Sequence, residues 1–409
     1  MHRSDDLVKR VPMVMDRRNL LKLFAAAGAV GAVTPALAAC SSSSAPERTT
    51  QTLRVGLVYP QSGSLQDVGF EIYNGFQLFL STNGNQLGGM TVQVTKIDEG
   101  TSIGTGHDAV TGALKSGSVD VIVGIANSGV MSLIPDAVTA ARIPILGTFG
   151  SPANLRASDF IWRTSFVNGE ASKALGIYLA SLAPSTSMSA NGSLGRPSSI
   201  VVYSDGSTDG AAESTAFLTQ IAATNIATHT VSGQPSSSLM NQIQGRSPDL
   251  VYAAAAGDGA AAFIKNYRNA GITAPLCGPG ALTELGVGTS ATKNVFTSMN
   301  YASDISNDAN QQFTSAYFTA NTGKVPTTYA MTSYDAAMVL DSAINLINGP
   351  VSPLAINQAL GSAGVFNSPR GRWQFNQSRT PLQQWYLRQV RADGKFLQNT
   401  VLTDLATMS

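Results

Sequence analysis

Ser102 stands in the setting that most suggests covalent chemistry. Gly100-Thr101-Ser102-Ile103-Gly104 fits G-x-S-x-G, the nucleophile elbow of many hydrolases, and falls between a strand-like and a helix-like segment. Such a serine needs a histidine base that a carboxylate holds in place. Beyond residue 40 the only histidines are His107 and His229, and no HGGG-like oxyanion segment precedes the motif. A Gly/Ser/Thr turn capping the next helix explains the same residues. Gly104-Thr105-Gly106-His107-Asp108-Ala109 also fits G-x-G-x-x-A, a pyrophosphate-binding turn. That site needs an acid about 20 residues further on, yet the following strand ends in Gly124-Ile125-Ala126-Asn127. Two isolated histidines and one thiol lack metal-ligand spacing, and a lone cysteine such as Cys277 reads as a small buried hydrophobe. The sequence thus predicts no catalytic residue, no metal and no cofactor, with hydrolysis at Ser102 a remote alternative.

Composition narrows the class. Of 409 residues, 12% are charged and 43% are hydrophobic, with 39 glycines and a formal charge of +1. Soluble domains usually carry roughly 25% charge. Disorder needs high net charge and few apolar residues, and nucleic-acid binding needs a clustered basic face; neither is present. Two cysteines cannot build a disulfide scaffold.

The first forty residues read as an address. Arg17-Arg18 opens a mostly apolar run from Leu23 to Ala39, short for a membrane span of about 20 residues. A positive start, an apolar middle and a small-residue exit describe a secretory signal. The exit Leu37-Ala38-Ala39-Cys40 resembles a bacterial lipobox, in which Cys40 is lipidated and becomes the first residue. The paired arginines resemble a twin-arginine signal, although Asp16 departs from that motif. The alternative is an N-terminal anchor that is never cut. Removing residues 1–39 takes away six Lys/Arg and three Asp/Glu, leaving a net charge of −2. Residues 40–51 then form a lipidated polar tether.

From Leu53 onward, apolar strands alternate with helical patterns. Leu53–Tyr59, Thr91–Ile97, Val119–Gly124 and Ile143–Leu146 read as strands; Phe70–Leu80, His107–Lys115 and Met131–Arg142 read as helices. A second series follows, with strands at Ile200–Tyr203, Ile226 and Leu250–Ala255 and helices at Glu170–Leu182, Ala211–Ala223 and Gly259–Ala270. Runs such as VDVIVG and IVVY have lost alternation, as strands buried on both faces of a parallel sheet do. Regular β-α-β order argues for an open doubly wound sheet, present twice. Pro184–Ser199 reads as an exposed low-complexity loop. Asn310–Ala320 and Thr328–Ile347 read as late helices, and Arg372–Phe375 with Trp385–Val390 as a closing antiparallel pair.

At the strand ends the chain resembles a known family. Arg54–Gly75 (RVGLVYPQSGSLQDVGFEIYNG), Val119–Pro135 (VDVIVGIANSGVMSLIP), Ile143–Leu155 (IPILGTFGSPANL) and Phe160–Thr164 (FIWRT) resemble the branched-chain amino acid-binding proteins, the type I periplasmic receptors of ABC importers. Pro326–Ala337, Gly371–Phe375 and the Gln384–Val390 strand continue the likeness across the mature chain. The resemblance implies two doubly wound α/β lobes joined by three hinge crossings. Lobe 1 would take 52–165 and 300–367, and lobe 2 166–299 and 368–409. It also implies a monomer serving a membrane permease, on the outer face of the cell membrane and anchored at Cys40.

What the resemblance carries onto the pocket is mixed. The serine that binds the ligand carboxylate matches Ser128, after Asn127. The second carboxylate loop matches Thr148-Phe149-Gly150, with Gly150 where a threonine is expected. The covering aromatic falls near Val68, the second-lobe tyrosine near Ser207, and a further aromatic at Ala256 or Gly257. The acid for an α-ammonium group falls at Gly280. An ammonium taken out of water without a carboxylate is costly to bind. The expected ligand is therefore a small carboxylate or amide, not an ordinary branched-chain amino acid, with Phe149 a replacement wall. In the alternative alignment Asp205, Asp258 or Glu284 restores the charge. A sensory receptor of the same fold is the alternative within the binding class.

Overall fold

The computed structural model describes residues 51–183, 193–285, 289–394 and 396–409, the Arg156 side chain excepted. The expected signal, Cys40 and the tether through residue 50 lie outside these residues, as does the 184–192 part of the low-complexity segment.

The strands gather into two sheets. The first holds β1 (Thr52–Tyr59), β2 (Gln86–Leu87), β3 (Met90–Asp98), β4 (Val121–Gly124), β5 (Ile145–Gly147) and β6 (Ile161–Arg163). Its order is β2-β3-β1-β4-β5-β6, parallel except for β2. The second holds β7 (Ser199–Ser204), β8 (Ala227–Ser232), β9 (Leu250–Ala254), β10 (Leu276–Pro279), β11 (Phe296–Met299), β12 (Val365–Ser368), β13 (Gly371–Phe375), β14 (Pro381–Asp393) and β15 (Phe396–Met408). Its order is β12-β13-β14-β11-β10-β9-β7-β8, with β15 on β14. Strands β7 to β11 are parallel and β14 joins β11 antiparallel. Every residue of β4 and β9 is buried, which is why these strands read as unbroken apolar runs. The two-lobe doubly wound fold expected from the sequence is present.

Local differences have physical causes. Met131–Arg142 is not one helix but two, Ser128–Leu133 and Pro135–Ala141. Pro135 has no N–H to continue the first helix and suits the first turn of the second. Trp385–Val390 pairs with β11 and β15, whereas β13 meets β14 only at Gln374↔Leu382 and Phe375↔Pro381. In the segment read as exposed, Leu194 is buried in a cluster with Leu175, Ile200 and Phe217. The motif around Ser102 is a helix cap: Ser102 accepts from Thr105 N, and Thr105 Oγ1 accepts from Ser102 N.

The chain leaves the first half after β6, returns after β11 to the helices Asp308–Ala320 and Thr328–Asn345, and crosses again around β12. Arg370 ties the crossings together. Its guanidinium meets Asp335 at 2.6 Å, donates to Thr164 O and Ser165 O, and reaches Gln383 Oε1. Gln383 in turn accepts from Asn300 Nδ2 at 2.8 Å.

Candidate functional site

The site begins at the end of β4. Gly124 has φ +116°, and a Cβ there would lie 1.9 Å from Val58 O, so only glycine fits. Ile125 follows at φ +67°, an unusual state for a β-branched residue. The carboxylate of Glu99 holds the next two residues, accepting from Ala126 N at 2.8 Å and Asn127 N at 2.9 Å. Burial pushes that carboxyl up to about 7, while the two N–H groups pull it down and Asp98 raises it a little. Asn127 caps the helix Ser128–Leu133 by accepting from Gly129 N at 2.9 Å. This turn fixes Ser128 at the edge of the cleft.

Across the cleft stands Asp209, in the first turn of the helix Thr208–Ile221. Ser128 Oγ lies 2.8 Å from both its oxygens, so one hydroxyl proton is shared between them. Asn168 Nδ2 donates to Asp209 at 2.7 Å. Desolvation raises the Asp209 pKa, the Ser128 bond opposes the rise, and Asp205 adds to it.

Beside this contact is a narrow pocket of about 60 Å³ that opens to solvent. Phe149, Gly150 and Tyr329 line it from the first half, and Phe166 and Asn168 from a crossing. Asp205, Ser207, Asp209 and Glu213 face it from the second half, over a floor of Ala254, Ala255 and Ala256. Phe149 stacks on Tyr329 with centroids 5.0 Å apart. Among the described lining residues there are three carboxylates and no lysine or arginine. Glu213 is buried and engaged by Gly169 N and the Ser172 hydroxyl, and burial raises its pKa.

The expected positions separate into those gathered here and those placed elsewhere. Phe149, Gly150, Ser207 and Ala256 line the cavity, while Ser128 and Asn127 stand at its edge through Asp209. Gly280 lies between two lining residues, Pro279 and Ala281; a Cβ there would meet Met299 Sδ at 2.5 Å and its Cβ at 2.9 Å. Packing thus leaves no room for an acid. Val68 is a correction: it is 1% exposed in the first-half core beside Tyr59 and Ile72, because the helix Gln66–Thr82 turns that face inward. Thr148 is also buried, its carbonyl accepting from Thr332 Oγ1 at 2.6 Å. Gly257 lines a different cavity, beside the helix Gly257–Asn269.

The acids of the alternative alignment are engaged or remote. Asp205 accepts from Ser207 N and Ser207 Oγ. Glu284 pairs with Arg388 at 2.8 Å and accepts from Thr328 N at 2.6 Å. Asp258 is exposed in the first turn of its helix. Sequence reasoning missed Asp209, Phe166, Asn168 and Tyr329. The one local signal was Asp209 itself, two residues beyond Ser207. At Gly150 a Cβ would lie 2.4 Å from Asn168 Oδ1 and 2.9 Å from Phe166, so these two side chains fill the space of the expected threonine.

The profile of the family described as periplasmic binding protein matches residues 52–395. No curated protein sequence matches the chain. Solved structures share the fold. An ABC transporter solute-binding protein from R. palustris in complex with benzoate is 26% identical, with TM-score 0.76 over 88% of this chain and 98% of that one. Another from Rhodopseudomonas palustris BisB5, in complex with 3,4-dihydroxybenzoic acid, is 19% identical, with TM-score 0.76 and the same coverage. A branched-chain amino acid transporter substrate-binding protein from Streptococcus pneumoniae, in complex with isoleucine, is 17% identical, with TM-score 0.72 over 86% of this chain and 100% of that one. By its profile over most of its length and by its two-lobe fold, the chain belongs to the periplasmic binding protein family.

Proposed function

We propose that the chain is the extracytoplasmic receptor of an ABC importer and binds a small aromatic carboxylate or amide between its lobes. The carrying observation is the cleft wall, where Phe149, stacked on Tyr329, and Phe166 offer flat apolar faces beside Ser128 and Asn168, whose donors rest on Asp209 until a ligand competes for them. An aromatic ring with one polar head matches that division, since ring pairs prefer offset or edge contacts and contribute about 0.5–1.5 kcal/mol beyond area. At the expected position of the ammonium partner stands Gly280, and Asp205 and Glu284 are engaged elsewhere; of the cleft carboxylates, Asp209 has only the neutral donors Ser128 and Asn168. The benzoate-bound R. palustris structure supports the same ligand class.

In this reading lobe 1 (52–165 and 300–367) closes on lobe 2 (166–299 and 368–409), and the monomer hands its ligand to a membrane permease while anchored through Cys40. The protein binds and releases without chemistry. A thermal-shift panel of benzoate, hydroxybenzoates, benzamide, leucine, isoleucine and valine tests it. At a hundredfold excess over Kd, one-site binding adds about 2.7 kcal/mol of stability. Stabilisation by the aromatic acids supports the reading; stabilisation by the aliphatic amino acids alone overturns it.

A further inference from the structure

The cleft holds a carboxylate of its own at the hydroxyl on which the proposed ligand carboxylate rests. Ser128 Oγ is 2.8 Å from both oxygens of Asp209, and Asn168 gives Asp209 its other described donor. A ligand carboxylate on Ser128 therefore stands side by side with Asp209. No lysine or arginine among the described lining residues offsets the pair. Two carboxylates sharing one desolvated site cannot both stay ionised; one takes a proton.

We infer that Asp209 is a specificity-determining residue that recognises the ligand carboxylate through one proton shared between the two carboxyl groups. The inference rests on the carboxylate reading above. The proton comes from solvent as the anion binds, an O–H bond forms on one carboxyl, and its hydrogen bond spans to the other. The pair thus carries one negative charge instead of two. Among the titratable groups around Asp209, the charge of Asp205, just before its helix, favours uptake; Glu213 lies a turn along the helix, and the neutral Tyr329 faces it from the helix Thr328–Asn345. Glu99 stands behind the Ser128 turn, bonded to Ala126 and Asn127. The helix Ser128–Leu133 and the crossing at Asn168 present no titratable side chain to it. Burial raises the Asp209 pKa in the same direction, against the opposing bond from Ser128.

Benzoate titration calorimetry from pH 6 to 9, in buffers of differing ionisation enthalpy, reads the proton directly. Between the Asp209 pKa of the free protein and the higher pKa of the complex, wild type should take up nearly one proton per benzoate, with Kd rising about tenfold per pH unit. Asp209→Asn supplies an N–H to the ligand without a proton, so uptake and pH dependence should vanish. Binding without proton uptake in wild type overturns the inference alone, and so does uptake that persists in Asp209→Asn. Absence of benzoate binding at every pH overturns the carboxylate reading and this inference with it. If the variant does not fold, the wild-type buffer comparison still decides.

Discussion

Asp335, in the helix Thr328–Asn345, and Arg370, between β12 and β13, form an ion pair of 2.6 Å with both side chains buried. The guanidinium also reaches Thr164 O, Ser165 O and Gln383, so it joins the crossing after β6 to the one at β12, while Gln383 carries the link to Asn300 after β11. Removing it leaves the Asp335 carboxylate buried and unpaired. Arg370→Leu is expected to lower stability by about 3–5 kcal/mol, read as a fall in urea midpoint. A change below about 1 kcal/mol would show that the crossings do not depend on the pair.

Glu99 gives the fold a pH dependence of known sign. Its carboxyl is pushed up from 4.5 to about 7, chiefly by burial. The folded state therefore holds the proton more tightly than the unfolded chain. This group's stabilisation is full below about pH 4.5 and is lost as pH rises through about 7. The stability difference between wild type and Glu99→Gln should change across that window and level off above it. Parallel curves across the window would contradict the assignment.

Gly150 should not tolerate the threonine that the sequence resemblance leads one to expect there. A Cβ there meets Asn168 Oδ1 at 2.4 Å and the Phe166 ring at 2.9 Å. Gly150→Thr is expected to cost about 1–3 kcal/mol by overpacking and to weaken benzoate binding about tenfold, a difference of about 1.4 kcal/mol. Wild-type melting together with wild-type affinity would refute it.

The proposed function puts the polar end of the ligand at Ser128. Ser128→Ala should weaken benzoate binding by roughly 1–3 kcal/mol, the range for a lost bond to a charged group. Calorimetry that finds the affinity unchanged removes Ser128 from the site.

The β-α-β alternation and the buried strands were legible because apolar runs such as VDVIVG have a direct physical cause in two-sided burial. The placement of Ser128 and Phe149 at the cleft was legible because both follow strand ends, where an open α/β sheet opens its crevice. Phe166, Asn168 and Tyr329 were not, since they enter from a crossing and from the helix Thr328–Asn345, far apart in sequence. Val68 misled for the opposite reason: its place in sequence near the first β-α turn says nothing of which helix face points into the core.

Equilibrium dialysis with labelled benzoate, and with unlabelled leucine, isoleucine and valine as competitors, tests the central claim most directly. The account predicts saturable retention of one benzoate per chain that the three amino acids do not displace. Retention that leucine abolishes at stoichiometric concentration, or no saturable retention at all, would contradict it.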